Sequence, residues 1–245
     1  PGYSIQYTLH HHYRSLMLKK HLYSDLSNYI FPYVWESTFI TCPEIKLSYE
    51  TTQFQHIYIM EPNFDVVKNN FIPIIALIHL YNTNTTLLHN IKIHLLCSNT
   101  IKNSILSLIN CCCKNPSDFT SHISINGRFS IKDLIIKKQH KEPSIIISHQ
   151  YQNELNYIYF DCLYSKIPII HNSTMIGNCG YTYKDNDIYR ICSHLTNLIT
   201  NGVNYHIKYI DSQTNNIQTL FDTLDPLNSK NLEYMKYLCD SITKK

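Results

Sequence analysis

Short apolar runs alternate with longer amphipathic stretches along the chain from about residue 54. The runs are rich in β-branched and aromatic residues and predict strands over 54–60, 91–98, 122–129, 143–150 and 167–172. Strands that alternate with helical stretches are typical of βαβ units, in which the strands lie parallel. The runs Ile145–Ile147 and Ile167–Ile170 carry no charged residue, as expected for strands buried on both faces.

The stretches between these runs show apolar positions near helical spacing. They predict helices over 61–82, 100–115, 131–139 and 153–165. Pro73 is expected to kink the first of these helices. Thr100 and Ser130 stand where the N-caps of the second and third helices are expected.

Together these elements predict an α/β fold with a Rossmann-like parallel sheet flanked by helices over residues 41–200. Residues 1–40 fit the tail of a preceding Rossmann-like domain and a crossover between domains, and residues 201–245 fit a C-terminal extension with a closing helix. That helix spaces its apolar residues for one face, which we expect to pack on a core: Leu232, Met235, Leu238 and Ile242. Because the first residue is Pro and not Met, we expect the chain to be part of a longer or processed protein.

Composition and charge exclude several classes of protein. The chain has 245 residues, 44% of them hydrophobic, which is enough for a substantial core. Its net charge of +3 is spread along the sequence, whereas nucleic-acid-binding proteins concentrate basic residues on one face. No run approaches the roughly 20 apolar residues of a membrane span, and no signal peptide is visible.

The nine cysteines include three in a row at 111–113 but no Cys-x-x-Cys pair. This spacing fits neither a disulfide framework nor a structural zinc site, and it favours a reducing, cytoplasmic location. The three histidines at 10–12 would diverge on a strand, so no metal site is expected. The single Ala, five Gly and three Arg match AT-rich codons and suggest a large DNA virus or an AT-rich microbe as the source, with the host cytoplasm or virion as location if viral.

Polar residues follow each predicted strand, and in an open parallel sheet ligands bind beyond these carboxyl ends. The candidates that this rule selects are Glu61, Asn63, Lys68, Ser98, Asn99, Gly127, Arg128, Ser148, His149, Gln150, Asn153, Glu154, Asn156, His171, Asn172 and Ser173. Cations and N–H donors suit a phosphate, and amides and carboxylates suit sugar hydroxyls. The set therefore favours a sugar phosphate or a nucleotide sugar.

Structural roles are open for several of these residues. His149 is equally able to anchor a loop. For Tyr157 and Tyr159, packing is favoured over stacking on a ligand, and Asp161 also fits a surface carboxylate. No Gly-x-Gly-x-x-Gly or Gly-x-x-x-x-Gly-Lys sequence is present, which argues against dinucleotide oxidoreductases and P-loop enzymes.

Two segments resemble glycosyltransferases with two Rossmann domains, the GT-B fold. Those enzymes carry Gly-Arg-x4-Lys-Gly after the first strand of the donor-binding domain, and "PNFDVVKN" keeps Lys68 but has Asn63 in place of Arg. They also carry two acidic residues eight positions apart before a buried strand with Pro. Here "NELNYIYFDCLYSKIPII" keeps the second as Asp161, whereas Asn153 stands at the first, beside Glu154.

The words "FPYVWES", "EPNFDVVKNNFIPI", "INGRF", "SHQYQNELNYIYFDCLYSKIPIIHNS" and "GYTY" are similar to a GT-B-like family of bacteria, phages and large viruses. Its members typically read Ser-His-Gln-Trp-Glu-Asn-Pro-Leu-Asn-Tyr-x-Tyr-x-Asp, followed by Pro-Leu-Val-His-Asn. Tyr151, Gln152 and Glu154 depart from that pattern. The resemblance spans about residues 29–185 and implies that the chain is mainly the donor-binding half of such an enzyme.

The main hypothesis is a metal-independent glycosyltransferase that uses a nucleotide-diphosphate sugar, with no further cofactor and an unknown acceptor (a glycan, a protein or a modified base). Lys68 and Arg128 would neutralise the leaving diphosphate, and Asp161 would hold ribose hydroxyls.

The other donor contacts are assigned to Glu61, Asn63, Ser148, His149, Gln150, Asn153, Glu154, Asn156, Tyr157, Asn172 and Ser173, and His12 is a candidate for acceptor contact or general base. The alternatives are a sugar-nucleotide epimerase and a non-catalytic module that binds a nucleotide sugar or a glycan.

Overall fold

The computed structural model of the chain describes residues 34–37, 49–61, 63, 68–128, 141–151 and 156–243. The helix expected over 131–139, with Ser130 as its cap, and the tail of a preceding domain within residues 1–33 lie outside the described residues. The chain divides into two compact units, Ile40–Thr214 and Pro1–Phe39 with Asn215–Lys245. The predicted domain boundaries stay a prediction.

Six parallel strands form one sheet in the larger unit. They are β1 (His56–Ile59), β2 (Lys92–Leu95), β3 (Ile123–Ile125), β4 (Ser144–Ile147), β5 (Ile169–His171) and β6 (Tyr181–Thr182). Their order is β3-β2-β1-β4-β5-β6, and every neighbouring pair is parallel. This is the order of the doubly wound dinucleotide-binding fold, so the predicted α/β fold class is confirmed.

The helices of the larger unit are α1 (Phe71–Thr83), α2 (Lys102–Cys112), α3 (Pro116–Ser121), α4 (Tyr157–Tyr164) and α5 (Ile188–Ser212). Alternate residues of the central strands, such as Ile57, Ile93 and Ile145, lie in one hydrophobic core with residues of α1 and α5. Their Cβ atoms point to the same face because side chains alternate along a strand.

Three of the predicted helix features are wrong. Pro73 lies in the first turn of α1, where its missing N–H is not needed, so it produces no kink. A short 3-10 helix, Asn99–Ile101, precedes α2, so Thr100 is not its N-cap. The fourth helix begins at Tyr157 and not at 153, because the Asn156 side chain accepts the Ile158 N–H in extended backbone, as an N-cap does.

Helix α5 changes direction at Gly202, whose φ is +70° and ψ −165°. The Val203 N–H that follows donates to the Thr52 carbonyl at 2.9 Å. A Cβ atom at position 202 would lie 2.2 Å from that same carbonyl oxygen, so only glycine fits.

The smaller unit contains α6 (Thr214–Leu224), apart from its first residue, and α7 (Ser229–Thr243). Trp35 packs on Phe221 with ring centroids 4.8 Å apart, and its backbone N–H donates to the Leu224 carbonyl. The predicted closing helix is present as α7, but Leu232 and Met235 are exposed rather than packed on a core.

Candidate functional site

The candidate site lies where the strand order reverses, at the carboxyl ends of β1 and β4. In such sheets this switch point leaves a crevice between the loops that follow the two strands. The Glu61 carboxyl group, just after β1, accepts hydrogen bonds from the Ser148 hydroxyl at 2.5 Å and from the His149 N–H at 3.2 Å. Further along the first loop, Lys68 pairs with Gln150 in an antiparallel bridge. The two loops are therefore held together.

Glu61 is almost completely buried, and its Oε2 atom has no hydrogen-bond partner. Burial raises the pKa of Glu61 from 4.5 to about 7, while Ser148, Lys68 and the His149 N–H lower it in part. Near neutral pH, Oε2 therefore carries a proton in some molecules and offers only lone pairs in others. A carboxyl group of this kind can donate or accept a hydrogen bond.

Gln150 and Asn70 also have enclosed polar atoms without partners. The unpaired atoms are Oε1 and Nε2 of Gln150, which is 4% exposed, and Oδ1 of Asn70, which is 0% exposed. The Asn172 side chain holds the backbone of Gln150, accepting its N–H at 3.0 Å and donating to its carbonyl at 2.7 Å. An unpaired buried polar group costs about 1–3 kcal/mol, so a ligand or water that pairs with these atoms would recover that energy.

The ring of His149 is fixed by Tyr183. The Tyr183 hydroxyl donates to the Ser148 carbonyl at 3.0 Å and lies 2.9 Å from His149 Nδ1, and the two rings stack. Burial lowers the pKa of His149 to about 4, and it raises the pKa of Tyr183 well above its ordinary value. At neutral pH His149 is therefore uncharged and Tyr183 keeps its proton.

Asn63 and Ser98 stabilise the loops that follow β1 and β2. Asn63 has a positive φ of 55°, and its amide donates to the carbonyls of Glu61 and Cys97, while its oxygen accepts the Asn70 N–H at 2.9 Å. The Asn70 amide in turn donates to the Ser98 hydroxyl at 2.5 Å. The ends of β1 and β2 are thus tied together by side-chain hydrogen bonds.

Two cationic side chains lie near this edge. Lys68 interacts electrostatically with Glu61 and lowers the pKa of the Glu61 carboxyl group in part. Burial raises the pKa of the Cys97 thiol; Arg128, exposed after β3, lowers it in part, and Glu61 adds to the rise. Because Cys97 interacts electrostatically with both Glu61 and Arg128, the two charged groups lie at the same edge of the sheet.

The structure brings together Glu61, Lys68, Ser148, His149 and Gln150 of the predicted site. Other predicted residues have structural partners that the sequence did not reveal: Asn63, Asn156 and Asn172 bind backbone groups, and Ser173 accepts the Met175 N–H through its hydroxyl and donates its own N–H to His171. Whether any of these residues also contacts a ligand stays a prediction.

Tyr157 and Asp161 lie on one face of α4, four residues apart, with the exposed Tyr164 on the same side. Asp161 is half-buried, and the opposite face of the helix carries the buried Tyr159, whose hydroxyl lies 3.2 Å from the Ser148 hydroxyl. His12, Asn153 and Glu154 are outside the described residues.

Sequence reasoning missed Asn70 and Tyr183. Asn70 precedes a helix, as N-capping residues do, but its side chain bonds Ser98 and not the helix backbone. Tyr183 belongs to the "GYTY" word after β6, and no local pattern indicates that it contacts His149, 34 residues earlier.

Among the described residues, no group of three or more His, Cys, Asp or Glu side chains is placed to hold a metal ion. None of the helices in this part of the chain has the length and hydrophobicity required to cross a membrane.

Solved structures share this fold. A glycosyltransferase from Rickettsia africae ESF-5 has a TM-score of 0.60 at 15% identity, over 91% of this chain and 62% of that one. A trehalose-6-phosphate synthase studied for glycosyltransfer with retention has a TM-score of 0.60 at 11% identity, over 86% and 51%. TarM has a TM-score of 0.52 at 12% identity, over 80% and 36%. The chain thus spans 36% to 62% of the lengths of these proteins.

At these identities the likeness is one of fold, and it confirms the resemblance to glycosyltransferase folds. The closer resemblance to one GT-B-like family of bacteria, phages and large viruses stays a prediction.

Sequence comparison gives the family. No curated protein sequence matches the chain. A family model described as "Protein of unknown function (DUF2827)" matches residues 8–238, which include all six strands and the site at their carboxyl ends. The chain therefore belongs to the DUF2827 family.

Proposed function

We propose that the chain binds a nucleotide-diphosphate sugar at the carboxyl ends of β1 and β4 and forms the donor half of a glycosyltransferase. The observation that carries this proposal is the set of enclosed, unpaired polar atoms on Glu61, Asn70 and Gln150. Keeping them without partners is unfavourable in the free protein, and a polar ligand that pairs with them would recover this cost. Their position at the switch point of the sheet is where such folds bind nucleotides.

The charged groups of this edge support a diphosphate. Lys68 and Arg128 would attract it, and the N-terminus of α4 at Asn156 would add backbone N–H donors. Asn153 and Glu154 precede that N-terminus in the sequence and remain the predicted contacts to sugar or phosphate. Asp161, one turn further along α4, remains the predicted contact to ribose hydroxyls.

In the proposed reaction an acceptor hydroxyl attacks the anomeric carbon of the sugar. The bond between this carbon and the diphosphate oxygen breaks, and the nucleoside diphosphate leaves with the bonding electron pair. The acceptor hydroxyl passes its proton to a base, a role for which His12 is the predicted candidate. Lys68 and Arg128 would stabilise the charge that develops on the diphosphate, so no metal ion is assigned a role. The fold likeness to a glycosyltransferase and a trehalose-6-phosphate synthase supports this class of reaction.

The test is nucleotide binding with a matched pair of lysine variants. Uridine, guanosine, adenosine, cytidine and thymidine diphosphates and their sugar esters are added to the protein, and the melting temperature is measured. One nucleotide series should stabilise the wild type, as ligands of the native state do, and Lys68→Ala should remove most of this shift. Lys92→Ala, an exposed lysine at the amino end of β2, should leave the shift unchanged.

Absence of stabilisation by every nucleotide would contradict the proposal. Release of free nucleoside diphosphate from the sugar ester distinguishes an enzyme from a binding module. A protein that binds the ester but never releases the diphosphate, with any of a set of glycan and protein acceptors, would be the non-catalytic alternative.

A further inference from the structure

The site offers more hydrogen-bond acceptors than donors. The Tyr183 hydroxyl has one proton, and the Ser148 carbonyl, which can only accept, takes it. Both contacts of the hydroxyl are hydrogen bonds only if His149 Nδ1, 2.9 Å away, carries the proton that joins the two rings. In a neutral imidazole only one nitrogen is protonated, so His149 Nε2 carries a lone pair.

Among the described residues, the ring of His149 has a hydrogen-bond partner, Tyr183, at Nδ1 and none is found at Nε2. Next to His149 along the chain, Gln150 contributes one free acceptor atom, Oε1, and one free donor group, the Nε2 amide with its two N–H bonds. Glu61, which accepts the His149 N–H through Oε1, contributes Oε2. The three residues thus offer an acceptor on each side chain and only one permanent donor group, the Gln150 amide.

This ratio does not suit a phosphate, whose oxygens only accept hydrogen bonds at neutral pH and require donors. It suits a group with several hydroxyls, because each hydroxyl donates one hydrogen bond and can still accept others. Lys68 and Arg128 provide the charge that a phosphate needs. The chemistry of the edge therefore separates into a cationic part and an acceptor-rich part.

We propose that Glu61, His149 and Gln150 bind the hydroxyl groups of the transferred sugar and that Tyr183 is the positioning residue that keeps His149 Nε2 as an acceptor. This inference rests on the proposed function, since it assigns one part of the same ligand to one part of the site. It makes these residues determinants of sugar recognition rather than of nucleotide affinity.

The experiment compares the affinity of each nucleoside diphosphate with that of its glucose, galactose, mannose and N-acetylglucosamine esters by titration calorimetry. The wild type should bind at least one ester more tightly than the diphosphate alone. His149→Phe, Gln150→Leu and Tyr183→Phe should each reduce this preference by about tenfold, the value of one lost hydrogen bond, and leave the diphosphate affinity unchanged.

Matched controls separate recognition from structure. Tyr209→Phe also removes a tyrosine hydroxyl that donates to a backbone carbonyl, that of Gly180, and should not alter the preference. Gln213 uses both side-chain atoms, so Gln213→Leu should lower the melting temperature, whereas Gln150→Leu should keep or raise it because the atoms it removes are unpaired.

The outcomes distinguish this inference from the proposed function. If the wild type binds no nucleotide or ester, both fail. If the wild type binds the diphosphate but prefers no ester, or if the three variants weaken diphosphate and ester equally, the sugar subsite is wrong and the nucleotide site stands. If Gln150→Leu lowers the melting temperature as Gln213→Leu does and leaves binding intact, the Gln150 side chain binds enclosed water, and the inference is overturned.

Discussion

The Ser148 hydroxyl donates a hydrogen bond of 2.5 Å to the Glu61 carboxyl group across 87 residues of sequence. This contact joins the loops that follow β1 and β4, the two strands between which the sheet order reverses. It uses only one oxygen of the carboxyl group, and the second stays enclosed and unpaired. Glu61 is therefore both a link between the loops and an available polar group in the site.

Glu61→Gln should stabilise the protein at alkaline pH and much less in acid. Between pH 4.5 and about 7 the unfolded carboxyl group has lost its proton while the folded one retains it, so stability falls as pH rises through this window. Above this pH window the free energy of unfolding of the wild type is lower by about 3 kcal/mol, and the variant with the neutral amide does not show this loss. Urea unfolding of both proteins at pH 5 and pH 8 measures the difference.

The Gln variant keeps an oxygen that can accept from Ser148 and His149, so it is a conservative control for shape. An equal effect of the substitution at both pH values would show that the carboxyl group of Glu61 does not titrate between them in the folded protein.

The buried His206 should destabilise the protein in mild acid. Its Nδ1 accepts from the Tyr181 hydroxyl and its Nε2 donates to the Lys166 carbonyl, and burial lowers its pKa to about 4. Between pH 6.5 and 4 the unfolded chain binds a proton at this position that the native protein does not. The contribution of the neutral His206 to the free energy of unfolding is therefore fully present above this window. It falls by about 1.4 kcal/mol per pH unit as the pH decreases through the window.

His206→Gln should be less stable than the wild type at pH 7.5, yet its free energy of unfolding should fall less steeply between pH 6.5 and 4.5. His171 has the same direction of pKa shift and remains in both proteins, so the comparison isolates one residue. Parallel slopes for the two proteins would exclude a titrating His206.

Gly202→Ala should strongly destabilise the larger unit. A methyl group would meet the Thr52 carbonyl oxygen at 2.2 Å, and the backbone at 202 has a positive φ. The strain and the disturbed hydrogen bond from Val203 together predict a loss of roughly 3 kcal/mol or more. Gly177→Ala is the matched control, because its φ is also positive but no atom lies within 4 Å, so a loss of about 1 kcal/mol is expected. Similar urea midpoints for the two variants would contradict the close contact.

The fold was predictable because burial leaves a strong signal in the sequence. The run Ile145–Ile147 is completely buried in β4, as its lack of polar residues indicates. Strand β6 was not predicted, since its two residues are too few to establish a pattern.

The candidate site was predictable in position but less so in the role of each residue. Asn172 and Gln150 both follow strands, yet the Asn172 amide is used on backbone whereas the Gln150 amide is free. Sequence alone does not distinguish the two, because the partner of a polar side chain is decided by residues on other strands. The contact between Tyr183 and His149 is of the same kind.

Asp161 provides the last test, because its predicted role depends on the outer face of α4. If this carboxylate binds ribose, Asp161→Asn should weaken both the nucleoside diphosphate and its sugar ester, by about tenfold, since a charged acceptor gives a stronger hydrogen bond than an amide. The same variant should leave unchanged the preference for the ester, which we assign to His149 and Gln150. Asp222→Asn, on the exposed side of α6, is the control for a change of net charge, because the Asn oxygen can still accept the hydrogen bond from Gln218. A weakening that matches this control, or one confined to the ester, would show that Asp161 does not hold the ribose. Calorimetry with the deoxyribose analogue adds a second criterion, because the loss of a ribose hydroxyl should reduce binding to the wild type and have little effect on the variant.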